Sequence, residues 1–139
     1  MKQEFFNLEI ETYGQNLYDF TDQINLWIEK NKFKEGIINL SILHTSASLI
    51  IQENADSDVK SDLLNYFDKL VPMNNKLYKH TAEGKDDMPA HIKSALTNNQ
   101  ISLSVKNGLL LLGTWQGLYL FEHRINSSKR NIICHFLGI

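Results

Sequence analysis

From Phe5 to Thr12 apolar and polar positions alternate loosely, Phe6, Leu8 and Ile10 against Asn7, Glu9 and Glu11, which predicts a first strand. Between Asn16 and Asn31 the interval becomes helical. Leu17, Phe20, Ile24, Trp27 and Ile28 fall on one face and predict an amphipathic helix. Gly36 opens a second apolar run, Ile37 to Leu43, and the polar step His44-Thr45-Ser46-Ala47-Ser48 divides it from Leu49-Ile50-Ile51. Enrichment in β-branched residues makes both pieces strands rather than helix. Asn54 is the predicted N-cap of a second helix, with Asp56 and Asp58 in its first turn, an apolar stripe at Val59, Leu63, Phe67 and Leu70, and Pro72 just past its end. Residues 73–88 are poor in apolar side chains and read as a long loop, the kind that in a compact domain is more often functional than idle. Pro89 fits the first position of a short helix running to Leu96, with Asp87 or Met88 near its cap. Strands are predicted at 100–106, 109–113, 117–123 and 130–137, the first two joined by Asn107-Gly108, a strong hairpin signal.

Two main helices and one short helix therefore precede a block of strands. That segregation argues an α+β fold with antiparallel sheets packed face to face, in a single domain over residues 1–139. No internal repeat or linker interrupts the chain.

Charge narrows the partners. A net charge of -2 with both signs interspersed, and no basic block, argues against nucleic acid. No apolar run is long enough to span a bilayer and the start of the chain lacks a signal-peptide core, so no membrane partner is expected. Cys134 is the only cysteine, which rules out an intrachain disulfide and a thiolate metal cluster, and a reducing, cytoplasmic setting fits best.

Candidate chemistry concentrates in the histidines. His44 ends a strand, His80 lies in the long loop and His91 lies on the short helix; three imidazoles with an open position would describe a catalytic divalent-metal site. Asp86 and Asp87 stand close enough in sequence to His91 to add an oxygen ligand or to orient an imidazole. His123 and His135 are weaker candidates; His135, alternating with Cys134 on a terminal strand, reads as structural, and Cys134 as a small buried hydrophobe. Thr45, Ser46 and Ser48 offer hydroxyls that suit phosphate oxygens, or equally a turn. Lys93 and Arg124 either ground an anion or remain solvated charges. Glu53-Asn54 is a cap or a site. The segment Gly113-Thr114-Trp115-Gln116-Gly117 interrupts an apolar run with a hydroxyl, an indole and an amide between glycines that admit close backbone approach. Its Trp115 either stacks on a ligand ring or belongs to the core. Glu122 is either a desolvated general base or the partner of Arg124 in an ion pair. Glu83-Gly84-Lys85 lacks the rest of a Walker loop.

Three ordered motifs resemble the signatures of the YjbQ-like family. They are His44-Thr45-Ser46-Ala47-Ser48 with Gln52-Glu53-Asn54 and Asp56; Asp86-Asp87-Met88-Pro89-Ala90-His91-Ile92-Lys93-Ser94; and Gly113-Thr114-Trp115-Gln116-Gly117 with Glu122-His123-Arg124. The likeness runs from about residue 4 to Gly138. It implies a jelly-roll-like antiparallel β-sandwich assembled as a homotrimer, and the activity named secondary thiamine-phosphate synthase. That reaction joins hydroxymethylpyrimidine diphosphate to thiazole phosphate and releases diphosphate. On this reading His44, His80 and His91 hold a divalent ion (zinc, magnesium or manganese) and Asp87 supports them. Thr45, Ser46, Ser48, Lys93 and Arg124 bind the phosphates of a small phosphorylated molecule. Thr114, Trp115 and Gln116 line the ring, and Glu122, Asp87 and His91 are the catalytic groups. A metal-dependent phosphatase or hydrolase, or a ligand-binding trimer without turnover, would use the same residues.

Overall fold

A computed structural model describes all of residues 1–139. The chain runs β1 (Lys2–Tyr13), β2 (Asn16–Asp19), α1 (Thr21–Asn31), β3 (Gly36–Ile42), β4 (Ala47–Glu53), α2 (Ser57–Leu70), α3 (Asp87–Leu96), β5 (Gln100–Lys106), β6 (Leu109–Leu110), β7 (Gln116–Glu122) and β8 (Ser127–Gly138). Every strand pairing is antiparallel, in a five-stranded sheet of order β1-β8-β3-β5-β6 and a three-stranded sheet of order β2-β7-β4.

The apolar alternation sets the layers. Inward side chains of both sheets, among them Leu8, Ile38, Leu40, Leu49, Leu118, Leu120 and Ile132, meet in one core, which α1 closes with Ile24, Trp27 and Ile28. Phe33 stacks on Phe136 there, with ring centroids 3.8 Å apart. The outer face of the small sheet is covered by α2, whose Leu63, Leu64 and Phe67 pack on Leu17, Tyr119 and Phe121. The expected α+β sandwich is thus the observed one.

Four local expectations need correction. Residues 16–19 are not helical. Leu17 and Tyr18 pair with Phe121 and Leu120 of β7, and the helix begins only at Thr21. Leu17 and Phe20 are spaced as on a helix face, but an available sheet edge outweighs that weak local preference. Asn54 does not cap α2. Asp56 does, accepting the Asp58 N–H at 2.9 Å, while the Asn54 amide is drawn away to the carbonyls of Thr114 and Gln116. Pro89 is the third residue of α3 rather than the first, still within the turn whose N–H groups need no helical partner. The strand expected over 109–113 shrinks to Leu109–Leu110. The hairpin before it stands, with Asn107 at φ 53° and Gly108 at φ 73° as its turn type requires.

Sheet closure depends on close backbone approach at Gly138. A Cβ there would run into the Glu35 carbonyl oxygen and the Gly36 Cα, where the chain end pairs with the start of β3. Gly138→Ala is expected to lower stability by about 1–3 kcal/mol through overpacking. Denaturant midpoints of the two proteins check this, and an unchanged midpoint would refute the packing account.

Candidate metal site

α3 carries Asp87 and His91 one turn apart, so both side chains leave the same face of the helix. The preceding loop brings His80 and Glu83 to that face. Asp87 Oδ2 lies 2.6 Å from His80 Nε2 and 3.0 Å from His91 Nε2, and His80 Nε2 lies 3.3 Å from Glu83 Oε2. The ligand atoms of His80, Glu83, Asp87 and His91 all fall within 4.8 Å of one another. Ligands held about 2.0–2.2 Å from a tetrahedral zinc ion are ~3.4 Å apart, so the set is the right size for a divalent ion.

The surroundings prepare these donors. His91 Nδ1 faces the Thr45 carbonyl at 2.8 Å; a carbonyl only accepts, so this nitrogen carries a proton and donates it. Nε2 is then turned toward a carboxylate oxygen, an arrangement that a cation between them would satisfy. Arg124 Nη1 holds Asp87 Oδ1 at 2.6 Å, while Arg124 Nε holds Asp86 Oδ2 at 2.8 Å. Burial opposes ionisation of Asp87. The hydrogen bond from His80 and the neighbouring positive groups, His91 and Arg124, outweigh it and keep the carboxyl below the usual range. Asp86 is also buried yet held low, by the Ile125 N–H and by Arg124. The hydrogen bond to Asp87 raises the pKa of exposed His80. Two imidazoles and two carboxylates, with His91 and Asp87 each oriented by a further hydrogen bond, suit a hard or borderline divalent ion.

Beneath the cluster lies a second, fully buried network. Glu122 has no exposed surface. It accepts from Thr12 Oγ1 at 2.5 Å, from Arg130 at 2.8 and 2.6 Å, and from the backbone N–H groups of His123 and Arg124 at 3.0 and 3.3 Å. Ser48 Oγ sits 2.9 Å from His123 Nε2 and 2.6 Å from Thr97 Oγ1. Lys93 is buried and donates to Asp68 of α2 at 2.6 Å.

Comparison with known proteins agrees with this architecture. A family model described as UPF0047 protein YjbQ-like matches residues 6–139. The chain belongs to that family. It is 47% identical over 131 residues to UPF0047 protein sll1880 of Synechocystis sp., covering 94% of this chain and 89% of that one. It is 39% identical to the YjbQ protein of Escherichia coli O157:H7, covering 94% and 95% of the two chains. Among solved structures it is similar to a YjbQ/UPF0047 family protein of Clostridium acetobutylicum, with TM-score 0.87, 31% identity and coverage of 95% and 99%. It is also similar to the conserved hypothetical protein TT1486 of Thermus thermophilus, with TM-score 0.85, 30% identity and coverage of 95% and 99%.

For this YjbQ-like chain the fold sorts the expected site residues into three groups. His80, His91 and Asp87 come together, joined by Glu83, which the sequence reading passed over although His80-x-x-Glu83 and Asp87-x-x-x-His91 are spacings that share a helical or turn face. His44 does not join them; its Nε2 accepts the Asn131 backbone N–H at 2.9 Å. Ser48, Lys93, Arg124 and Glu122 are committed to protein partners. Ser48 and Lys93 are buried, Arg124 is engaged by the two aspartates, and the ion-pair partner of Glu122 is Arg130, not Arg124. Arg130 was not singled out, since nothing in its local sequence separates it from a surface arginine. Thr45 remains exposed, whereas the Ser46 carbonyl accepts from His123 and Arg130. Thr114, Trp115 and Gln116 stand at the far end of β7. Ala47 pairs with Glu122 beside the cluster and Glu53 pairs with Gln116, on the order of 20 Å away at ~3.4 Å per residue. His123, a weaker candidate, is buried beside Ser48, with its Nδ1 left without a partner. Burial pushes the Cys134 thiol up to about 12, which leaves it inert.

Burial, with the charges of Lys93 and Arg130, depresses His123 to about 3. A depressed histidine contributes stability that is present above its unfolded value and lost as pH falls toward its folded one. Stability should therefore drop between about pH 6.5 and 3 with a slope near 1.4 kcal/mol per pH unit for this proton. His123→Gln should flatten that slope by about one proton. Denaturation curves across the interval check it, and equal slopes would sink the assignment.

Proposed function

We propose that this protein is a divalent-metal enzyme acting on a small phosphorylated molecule, with His80, Glu83, Asp87 and His91 as the donors. The observation that carries the reading is the convergence of these four ligand atoms within 4.8 Å. The fixed proton on His91 Nδ1 and the clamp of Arg124 on Asp87 add to it. Imidazoles beside carboxylates favour zinc or manganese over magnesium. A bound ion supplies Lewis-acid neutralisation of phosphoryl oxygens and lowers the pKa of its water. The chain's own contribution is to hold two imidazoles and two carboxylates in register, and to leave Thr45 exposed beside them.

Hydrolysis of a phosphate ester or diphosphate is the chemistry a single protomer supports best, because Trp115 and Gln116 lie at the opposite end of β7 from the cluster. The transfer joining hydroxymethylpyrimidine diphosphate to thiazole phosphate needs an aromatic wall. In a trimer Trp115, 64% exposed, would serve a neighbouring copy. An uncharged central patch on the outer face of the large sheet, flanked by Glu9, Glu11 and Lys129 further along β1 and β8, supports self-association. Its rows Gln3-Leu137-Ile37-Ser104, Phe5-His135-Asn39-Ser102 and Asn7-Ile133-Ser41-Gln100 contain no carboxylate, lysine or arginine. No helix is long and apolar enough to cross a membrane, and the reduced, buried Cys134 accords with a cytoplasmic setting.

Metal analysis of the folded protein should return about one equivalent of zinc or manganese per chain. His80→Ala/His91→Ala should lose it. Arg124→Met should retain the ion with affinity lowered roughly 10–100-fold, as for other residues that hold a ligand in place. Absence of metal binding by the wild-type chain would remove the reading. Product analysis of metal-loaded protein with the pyrimidine diphosphate and thiazole phosphate then separates the chemistries. Orthophosphate release favours hydrolysis, a joined product favours transfer, and no turnover favours a binding protein.

Light scattering should give three times the mass of one chain, and Asn39→Glu, which puts charge into the uncharged patch, should shift the mass toward the monomer. A wild-type monomer would refute the assembly.

A further inference from the structure

Beside the metal cluster a cavity of about 200 Å³ is lined by His44, Thr45, Ala47, His91, Ser94, Ala95 and Asn99. It holds no carboxylate and no lysine or arginine. Its polar equipment is set by the backbone around it. β3 stops at Ile42, opposite Ile132, so the Asn131 N–H of β8 finds no strand carbonyl beside it. The chain continues the ladder in two steps: Leu43 donates to the Asn131 carbonyl at 3.1 Å, and the Asn131 N–H donates to His44 Nε2 at 2.9 Å.

A backbone N–H has only a proton to offer, so His44 Nε2 must present its lone pair. In the neutral ring the proton then sits on Nδ1. Burial, reinforced by the charge of Arg130, lowers the pKa of His44 and favours that neutral form. Nδ1 has no hydrogen-bond partner in the protein, and with Nε2 occupied it is the one polar edge the ring can turn to the cavity. The same constraint bars His44 from the ion. Ligation through Nδ1 needs a lone pair there, which would move the proton to Nε2 and set it against the Asn131 N–H. Of the other polar groups, Ser94 Oγ is taken up by the Ala47 carbonyl at 3.2 Å, while the side chains of Thr45 and Asn99 have no protein partner.

We propose that His44 is a hydrogen-bond donor locked in its Nδ1–H tautomer, and that with Thr45 and Asn99 it receives an oxyanion of the substrate in the cavity beside the metal cluster. The ligand class is a compact group rich in acceptor oxygens, a phosphate ester or a carboxylate. Unpaired donors in a cavity without carboxylates discriminate for such a group. The inference deepens the metal reading above and rests on it for the neighbouring ion only; the tautomer and the oxyanion are independent of it.

The test uses the full chain with and without zinc, inorganic phosphate and acetate as probes, and two variants. His44→Gln places an amide where Nε2 was, keeps an acceptor for Asn131 and removes the donor. His44→Asn keeps a donor at the Nδ1 position and gives up the acceptor. Long-range proton–nitrogen NMR of the metal-free protein should show a protonated Nδ1 and a lone-pair Nε2 on His44. Phosphate should bind and perturb that Nδ1–H. His44→Gln should fold and bind zinc as the wild type does, with phosphate affinity lowered about 10–100-fold, as for a lost hydrogen bond to a charged group. His44→Asn should keep phosphate affinity closer to wild type but unfold earlier. Acetate competing with phosphate assigns a general oxyanion pocket, and acetate without effect assigns a phosphoryl pocket. The opposite tautomer, phosphate binding unchanged in His44→Gln, binding of neither probe, or loss of zinc in His44→Gln would each overturn the proposal. Failure of the wild type to bind zinc with the tautomer and phosphate results intact would count against the metal reading alone.

Discussion

The buried carboxylate of Glu122 is the constraint on which the site depends. A fully desolvated charge is costly unless every lone pair finds a donor. Here the acceptor ends β7 of the small sheet, while its donors are Thr12 on β1 and Arg130 on β8 of the large sheet, with the N–H groups of His123 and Arg124 just past β7. Satisfying one charge thereby fixes the spacing of the two layers at one end of the sandwich. It also fixes the direction of the chain just past β7, because Glu122 Oε2 takes the N–H groups of His123 and Arg124. Arg124 leaves that turn aimed at Asp86 and Asp87, and its guanidinium delivers Asp87 to the histidines. Glu122 thus orders the candidate metal cluster without touching it.

The same end of the sandwich explains why His44 and His91 lie close without sharing a task. β3 and β4 are joined there by the polar step 43–46, whose backbone must serve both sheets. The Thr45 carbonyl goes to His91, the Ser46 carbonyl to His123 and Arg130, and the His44 ring to β8. Each bond settles a proton or a direction. A segment whose hydroxyls suit phosphate oxygens is here largely a junction between the sheets, and its free polar side-chain groups are one imidazole N–H and the hydroxyls of Thr45 and Ser46.

The fold was legible wherever pattern and burial coincide. β3, β4, β5, β7 and β8 follow from alternation and β-branched runs, and the Asn107-Gly108 hairpin from its turn chemistry. β2 was not, since Leu17 and Phe20 satisfy a helical period as well as a strand pairing and only the presence of β7 decides between them. The site was legible in part. Histidines and aspartates could be singled out by type, and His80, Asp87 and His91 do converge. Which of Ser48, Lys93, Arg124 and Glu122 were free depended on side-chain partners 8 to 110 residues away along the chain, from Arg130 to Thr12, and no local spacing encodes those pairings.

The three sequence motifs are contiguous in order but not in space, and β7 is the reason. The Gly113–Gly117 turn begins the strand and Glu122-His123-Arg124 ends it, so a motif that looks like one site spans the length of the sandwich. The turn is held rigidly by Asn54 and by the Gln116 side chain on the Gly113 N–H, yet it leaves an indole largely in water. An ordered, exposed tryptophan is unusual on a monomer, and core packing does not account for it. If the chemistry needs an aromatic wall, a neighbouring copy must supply it; if hydrolysis suffices, the indole serves assembly or a different ligand. On the proposed reading assembly and chemistry are therefore coupled, and Trp115 is the residue that couples them.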